Sequence, residues 1–348
     1  MLNTSIALQG AQGSPYSRKM LALLRYRRIP YRLLSGPAAE KAGLPRPAVP
    51  LLPTIYLPNV AGELEAVTDS TPLLRRFERE ISQRSVLPPD PAMRFIDSLL
   101  EDYADEWLTK AMYHYRWHYA ADADKAGDIL PMQYFGVCQP EAMVRQAKQQ
   151  FSQRQVSRLT VVGSTPATAP IIEAAYARLL DCLDAHLQHY PFLMGERPGA
   201  SDFAFYGQLS QMTQIDPTPM ALTLARSRRV VAWVWTMEDL CGLEPEPQGW
   251  MQADALAPSL LALLQEVGRT YVPLMLANAQ ALLAGAGTLQ AVIDGQPWTQ
   301  PTVSYQAKCL RWLRQEFAAL TVPEQHRVRA ILQRTDCAAL IDAAPATA

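Results

Sequence analysis

Three prolines crowded into residues 88–91 (Pro88, Pro89 and Pro91) constrain this chain most, because they separate two stretches that cannot share one architecture. Upstream, apolar runs of strand length alternate with helical patterns. Downstream, the pattern is helical almost throughout. A segment that interrupts both helix and sheet pairing reads as a linker, here residues 85–91. A second break falls at residues 245–249, between Pro245 and Gly249. The expected fold class is α+β: a compact α/β domain over residues 1–85, an all-helical domain over 92–245, and a further helical section over 250–348.

Within the first stretch the spacing predicts strands at 6–9 and 31–34, with a helix over 15–28 between them. Pro37, Pro45, Pro47 and Pro50, with Gly36 and Gly43, leave room only for a short helix in 35–50. Strands at 54–57 and 63–67 flank a turn at 59–62. Asp69 or Ser70 caps a helix that runs to about 81. The order is β-α-β-α-β-β-α. Later helices are expected over 92–119, 140–158, 170–190, 199–212, 219–227 and 230–240, then 258–284, which Pro273 can kink, 304–320 and 323–335. No internal repeat is present, and the alanine-rich tail, 343–348, is expected to fray.

Composition removes several functions. Apolar residues make up 49% of the 348, enough for a core without covalent support. Lys+Arg total 32 against Asp+Glu 33, a balance that disfavours nucleic acid or an anionic membrane as partner. Cys138, Cys182, Cys241, Cys309 and Cys337 are scattered, with no CxxC spacing, so neither a zinc ribbon nor a disulfide framework is expected. A reducing, cytoplasmic location fits this usage, and residues 1–5 lack the layout of an export signal. Residues 270–293 carry no formal charge and are long enough to span a membrane. Pro273, Asn278, Gln280, Gly285, Gly287 and Gln290 interrupt them, so a buried helix followed by a glycine-rich turn is expected instead.

The chemistry points to the mouth of the first helix. Gly10 and Gly13 allow a sharp turn, Ser14 can serve as N-cap, and Pro15 fits the first helical position. Strand, tight turn and helix N-terminus together collect unpaired N–H groups and a positive dipole end, which bind anions, including a thiolate. Ser14, Tyr16 and Ser17 put two hydroxyls and a phenol in that mouth, although an ordinary capped helix uses the same residues. Pro53, directly before a strand, is either an edge-strand proline or a cis proline that presents the backbone of Leu52. Asp69 and Ser70 are either a plain N-cap or a site for an amino acid's charged ends. His114 and His118 stand at i, i+4, but no third ligand accompanies them, so partly exposed structural histidines and no metal are expected. Glu101, Asp102, Asp105 and Glu106 read as a solvated helix face.

Ser14-Pro15-Tyr16-Ser17, Leu52-Pro53-Thr54 and Thr68-Asp69-Ser70, in this order and near these spacings, resemble the glutathione transferase superfamily over about residues 5–240. Residues 192–204 are similar to that family's mark in its helical domain. There a hydroxyl N-cap and an acid three residues on form a capping box. Here the acid is present as Asp202, but Gly199 stands where the hydroxyl belongs, and Asp202 is expected to be structural.

The resemblance implies a thioredoxin-like glutathione-binding domain, an all-α second-substrate domain and a C-terminal helical extension. It implies that the backbone of Leu52, before Pro53, pairs with the cysteinyl part of glutathione, that Asp69 and Ser70 hold its γ-glutamyl end, and that a mouth hydroxyl donates to its sulfur. Ser14 is favoured for that donor, then Tyr16, then Ser17. A free thiol has a pKa near 8.5, and lowering it by ~2 units takes only about 2.7 kcal/mol. The mouth contains no cysteine, which counts against a glutaredoxin-like mixed disulfide. Of the aromatic residues in the first long helix, about half are expected to be core. Tyr103, Trp107, Tyr113 and Trp117 are the candidates for an apolar pocket that takes a flat electrophile.

The implied function is a cytoplasmic, homodimeric transferase of detoxification with glutathione as co-substrate, adding the thiolate to an electrophilic centre. The alternatives are glutathione-dependent isomerisation, dehalogenation or ether cleavage, or a non-catalytic binder or scaffold. Residues 250–348 either cover the second-substrate cleft or build an interface.

Overall fold

The computed structural model describes residues 5–342, so the expectations for the first four residues and for the tail at 343–348 lie outside it. In the first domain, β1 (Ile6–Gln9) pairs parallel with β2 (Tyr31–Leu34) and antiparallel with β3 (Thr54–Pro58), which pairs antiparallel with β4 (Leu64–Thr68). The sheet order is therefore β2-β1-β3-β4. Alternation in β1 turns Ile6 and Leu8 into the core, where Leu8 meets Ile55 across the ladder. On that core lie α1 (Pro15–Tyr26), through Met20, Leu23 and Leu24, and α3 (Ser70–Glu80), through Leu73, Leu74 and Phe77. Each such side chain, fully withdrawn from water, stabilises the fold by about 1.5–3 kcal/mol. Between them, α2 (Ala38–Lys41) is the short helix that the prolines permit. The Leu52–Pro53 peptide bond is cis.

The second stretch opens on Pro91 with Asp90 as N-cap, its carboxylate accepting from the Ala92 N–H at 2.8 Å. The expected long helix is present as α4 (Pro91–Tyr103), a π-helical turn (Ala104–Leu108) and α5 (Thr109–His118) in unbroken succession. Next comes α6 (Ala120–Phe135), which the sequence pattern missed because Gly127, Pro131 and several acids blur its apolar stripe. Then follow α7 (Glu141–Val156), α8 (Ala169–His186), α9 (Ala200–Gln214), α10 (Pro217–Arg226) and α11 (Arg228–Glu238).

Helix α9 is buried along nearly its whole length. Gly207, on its face, meets the start of α1 so closely that a Cβ there would lie 2.6 Å from the Pro15 carbonyl oxygen. Glycine at Gly199 has a similar steric reason. Asp97 of α4 reaches across to accept from the N–H groups of Ala200 and Ser201, both at 3.0 Å, and from the Ser201 hydroxyl at 2.6 Å. A Cβ on Gly199 would stand 2.5 Å from that carboxylate. The cap therefore comes from another helix. Asp202 completes it as expected, accepting from Gly199 N–H at 2.8 Å and Leu193 N–H at 2.9 Å.

The third section is not wholly helical, which corrects the expectation. Helix α12 (Pro258–Leu283) runs through Pro273 and leads into an antiparallel hairpin, β5 (Thr288–Ile293) and β6 (Gln296–Pro301). Asp294 and Gly295 form its two-residue loop with φ of 52° and 72°, the left-handed pair that such a turn needs. Helices α13 (Ser304–Ala318), α14 (Val322–Gln333) and α15 (Ala339–Asp342) close the chain. The extension packs along α4, the π-helical turn and α8: Arg327 bridges to Asp90 at 2.7 Å, and Trp298 lies against Trp107. Among the described residues, no helix is long and apolar enough to cross a membrane.

Candidate active site

Ser14 has extended backbone, and its Oγ accepts from the Ser17 N–H at 3.3 Å, so it is the N-cap of α1. Among the described residues no acceptor takes its own hydroxyl hydrogen. The helical domain holds the turn in front of it. Arg116 of α5 donates to the Gly13 carbonyl at 3.0 Å, and Gln211 of α9 donates to the Gln12 carbonyl at 3.1 Å. Arg116 is itself fixed by Asp216, whose two oxygens both lie 2.9 Å from Nε.

The three candidate donors separate clearly. Ser17 is fully buried, its Oγ accepting from Ala11 N–H at 3.3 Å, so it closes the turn from behind. Tyr16 donates its O–H to the Asp105 carbonyl of the π-helical turn at 2.9 Å. Burial, with Glu106 and Asp105 nearby, pushes its pKa well above the usual phenol value, so it stays a committed neutral donor.

In front of Ser14 lies a cavity of about 600 Å³. One wall is the mouth itself, with Gly13, Ser14, Pro15 and Tyr16. A second is the loop from Pro47 to Thr54. The third consists of α5, α6 and α7 with Met112, Tyr113, Trp117, Leu130, Tyr134 and Phe151, edged by Arg116, Arg154 and Arg158. Leu52 lies on the loop wall, and among the described residues no hydrogen bond takes up its backbone N–H or C=O. Thr54 pins that loop by donating to the Leu51 carbonyl at 2.8 Å. A hydroxyl at a helix N-terminus, free main chain opposite and a third wall that is mostly apolar suit a peptide-like thiol and a reaction partner with an apolar body.

Residues 8–85 match the family model of the glutathione S-transferase N-terminal domain, and residues 148–234 match that of the glutathione S-transferase C-terminal domain. The chain belongs to the glutathione transferase superfamily.

Solved structures that resemble it include a Tau class glutathione S-transferase from mango, Mangifera indica. That structure is 18% identical, with 67% of this chain and 88% of that one covered at a TM-score of 0.38. Another is a glutathione S-transferase from Xanthobacter autotrophicus, 21% identical over 70% and 97% of the two chains, TM-score 0.36. A third is a family member from Pseudomonas fluorescens solved with two glutathione bound, 16% identical over 67% and 87%, TM-score 0.37. No curated protein matches the chain.

As in the superfamily, the chain has a thioredoxin-like N-terminal domain and a helical C-terminal domain. The cavity unites Ser14, Tyr16, Leu52, Tyr113 and Trp117 from the sequence-derived candidates. It does not include Pro53, which is buried behind Leu52, nor Asp69 and Ser70. Asp69 stands before α3 with φ of 81°, a left-handed conformation costly for a residue with a Cβ and concentrated at functional sites. Its Oδ2 accepts from the Tyr305 hydroxyl of α13 at 2.7 Å. The extension thus reaches the position where the γ-glutamyl end was expected, a contact across 236 residues that no local pattern signals.

Two aromatic candidates are corrected. Tyr103 is fully buried between Phe205 and Tyr271, and Trp107 packs on Trp298, so both belong to the core and neither lines the cavity. His114 is fully buried rather than partly exposed, bonded to Ser164 at 2.8 Å and Glu173 at 3.1 Å, with its pKa lowered by burial. It stacks on His118 at 4.6 Å, and among the described residues no group of side chains could hold a metal ion.

The acidic face is also corrected, since it is not solvated. Glu101 and Asp105 turn toward the first domain, where Lys19 of α1 donates to them at 2.7 and 2.6 Å and Arg75 bonds Glu101 at 2.8 Å. Burial works against charge there, but Arg75 and Lys19 carry Glu101 down to about 2. Burial and the adjacent Glu101 lift Asp105 to about 6 despite Lys19. Asp102 and Glu106 turn toward the extension, where Asp102 accepts from the Tyr271 hydroxyl and Gln306 approaches Glu106. Burial raises Asp102 to about 7, and burial with Asp102 nearby raises Glu106 to about 8 despite Lys110.

Proposed function

We propose that the chain is a glutathione transferase that binds glutathione as co-substrate, holds its sulfur at the α1 mouth as thiolate, and directs it onto an electrophilic carbon of an apolar substrate. The observation that carries this reading is the Ser14 hydroxyl, uncommitted as a donor, at a helix N-terminus that opens into an apolar-walled cavity. In the reaction the thiol proton leaves to solvent. The Ser14 O–H donates to the negative sulfur, and the α1 dipole favours the same charge. The sulfur–carbon bond then forms at the electrophile, with loss of its leaving group or protonation of the adduct.

The residues fit the tripeptide at each end. Leu52 offers unpaired main chain for its cysteinyl amide groups. Asp69 keeps one carboxylate oxygen clear of Tyr305, which suits an ammonium, and Ser70 follows it at the start of α3. Arg116 holds the Gly13 carbonyl, so it is a positioning residue for Ser14. The reading extends to a cytoplasmic homodimer acting in detoxification, which sedimentation with the extension present would test.

Retention on immobilised glutathione and turnover of 1-chloro-2,4-dinitrobenzene test the proposal. Wild type is expected to do both, and Ser14→Ala to bind but lose ~10²-fold in kcat/KM, the scale of one removed thiolate donor. A second reading, a non-catalytic binder or scaffold, draws on the Tyr305–Asp69 contact, which closes part of the grip. Retention without turnover would favour it.

A further inference from the structure

The cavity in front of Ser14 is unevenly charged. Its formal charges are three guanidinium groups, Arg116, Arg154 and Arg158, and no carboxylate lines it among the described residues. Arg116 is neutralised by Asp216 at 2.9 Å. Arg154 and Arg158 are not: both are exposed, and among the described residues neither lies within ion-pair distance of an acid. Arg154 lies in the last turn of α7 and Arg158 two residues past its end, and both line the same cavity. Both act on the Tyr113 hydroxyl, opposing the rise that its burial causes, so their charge reaches the cavity wall. Beside them, Trp117 and Phe151 form an aromatic corner, with ring centroids 5.8 Å apart and planes inclined by 60°.

Flat aromatic rings suit an apolar body, and an unneutralised pair of guanidinium groups at the edge suits a planar anion. We propose that the electrophile taken by this cavity carries an anionic group, a carboxylate or its equivalent, gripped by Arg154 and Arg158 while its apolar body lies against Trp117 and Phe151. This deepens the transferase reading and rests on it. For an aryl chloride bearing a carboxylate, the thiolate sulfur bonds to the ring carbon and chloride leaves with the carbon–chlorine electron pair. No oxidant or reductant enters, and the carboxylate is unchanged.

The test uses the full chain with 4-chloro-3-nitrobenzoate and its methyl ester, each rate divided by the uncatalysed rate with glutathione. The ratio of acid to ester in kcat/KM is expected to favour the acid in wild type. In Arg154→Gln/Arg158→Gln it is expected to fall about tenfold, or 1.4 kcal/mol, while Arg154→Lys/Arg158→Lys keeps most of it. An unchanged ratio in the glutamine variant overturns the proposal. So does a loss that appears in KM for glutathione alone, because the arginines would then hold the tripeptide's own carboxylate.

If neither probe turns over, the transferase reading falls and the charge preference is read by fluorescence. Tighter binding of 8-anilinonaphthalene-1-sulfonate by wild type than by the glutamine variant, with N-phenyl-1-naphthylamine as neutral control, supports the anion grip. Equal binding overturns it.

Discussion

The two ends of the proposed glutathione groove are built differently. At the Ser14 end, the first domain supplies hydroxyl, turn and helix dipole, and the helical domain only steadies the turn through Arg116 and Gln211. At the Asp69 end, the first domain supplies a carboxylate in a left-handed backbone, but α13 of the extension holds one of its oxygens through Tyr305. On the proposed reading chemistry is therefore local to one end, and access at the other is shared with a distant part of the chain. Substitutions at the first end should change rate, and those at the second should change affinity.

Ser14→Ala is the largest expected break, ~10²-fold in kcat with little change in glutathione affinity. Asp69→Asn should weaken glutathione about tenfold by calorimetry while kcat at saturation stays within about twofold, as expected for loss of one ionic contact. If Asp69→Asn lowered kcat as much as Ser14→Ala, the division between the ends would fail.

A smaller effect comes from pH. The extension that carries Tyr305 rests on Asp102 and Glu106, which face Tyr271 of α12, Gln306 and Cys309 of α13, and Lys110 of α5. Burial raises Asp102 to about 7, and burial with Asp102 raises Glu106 to about 8, both above their unfolded values. The folded chain thus binds more protons than the unfolded one, and stability drops as pH climbs from about 4 to about 8. Lys110, lowered to about 8 by burial, acts oppositely but only above that pH. Glu101, held near 2, gives stability that is present above about 4.5 and lost as pH falls toward 2. Protection factors in α13, with exchange corrected for its intrinsic base catalysis, should therefore fall at pH 8.5 relative to pH 6. Asp102→Asn/Glu106→Gln should flatten that difference, and its persistence would contradict the assignment.

Tyr305→Phe should tighten glutathione binding only about threefold by calorimetry, since it frees one oxygen of a carboxylate that is partly wet. Weaker binding would instead make Tyr305 a ligand. Tyr16→Phe should leave kcat within about twofold, because its hydroxyl already donates to Asp105.

Much of this was legible in the sequence where the cause is local. The mouth, the order of elements along the first domain and the Ser14 cap follow from glycine, proline and hydroxyl positions, whereas the roles given to Leu52 and Ser14 come from the family resemblance. The Asp294-Gly295 turn is an equally local signal, but Pro297 and Pro301 in the second strand disguise the hairpin, because proline is depleted in strands. What escaped depends on neighbours distant in sequence. Nothing near Glu101 or Asp102 tells that Lys19 covers one and Tyr271 the other. Tyr103 and Trp107 share the aromatic spacing of Tyr113 and Trp117, yet Phe205 and Trp298 claim them for the core. Arg116, Arg154 and Arg158 carry no local signal in the sequence, and only the packing of the helices brings them to one cavity.

The most direct test is the ionisation of glutathione bound to the protein, followed by thiolate absorbance near 240 nm across pH. The account predicts an apparent thiol pKa about 2 units below the free value near 8.5, returning most of the way in Ser14→Ala with glutathione still bound. A bound thiol that titrates as it does in water, or one whose depressed pKa survives loss of the Ser14 hydroxyl, would contradict it.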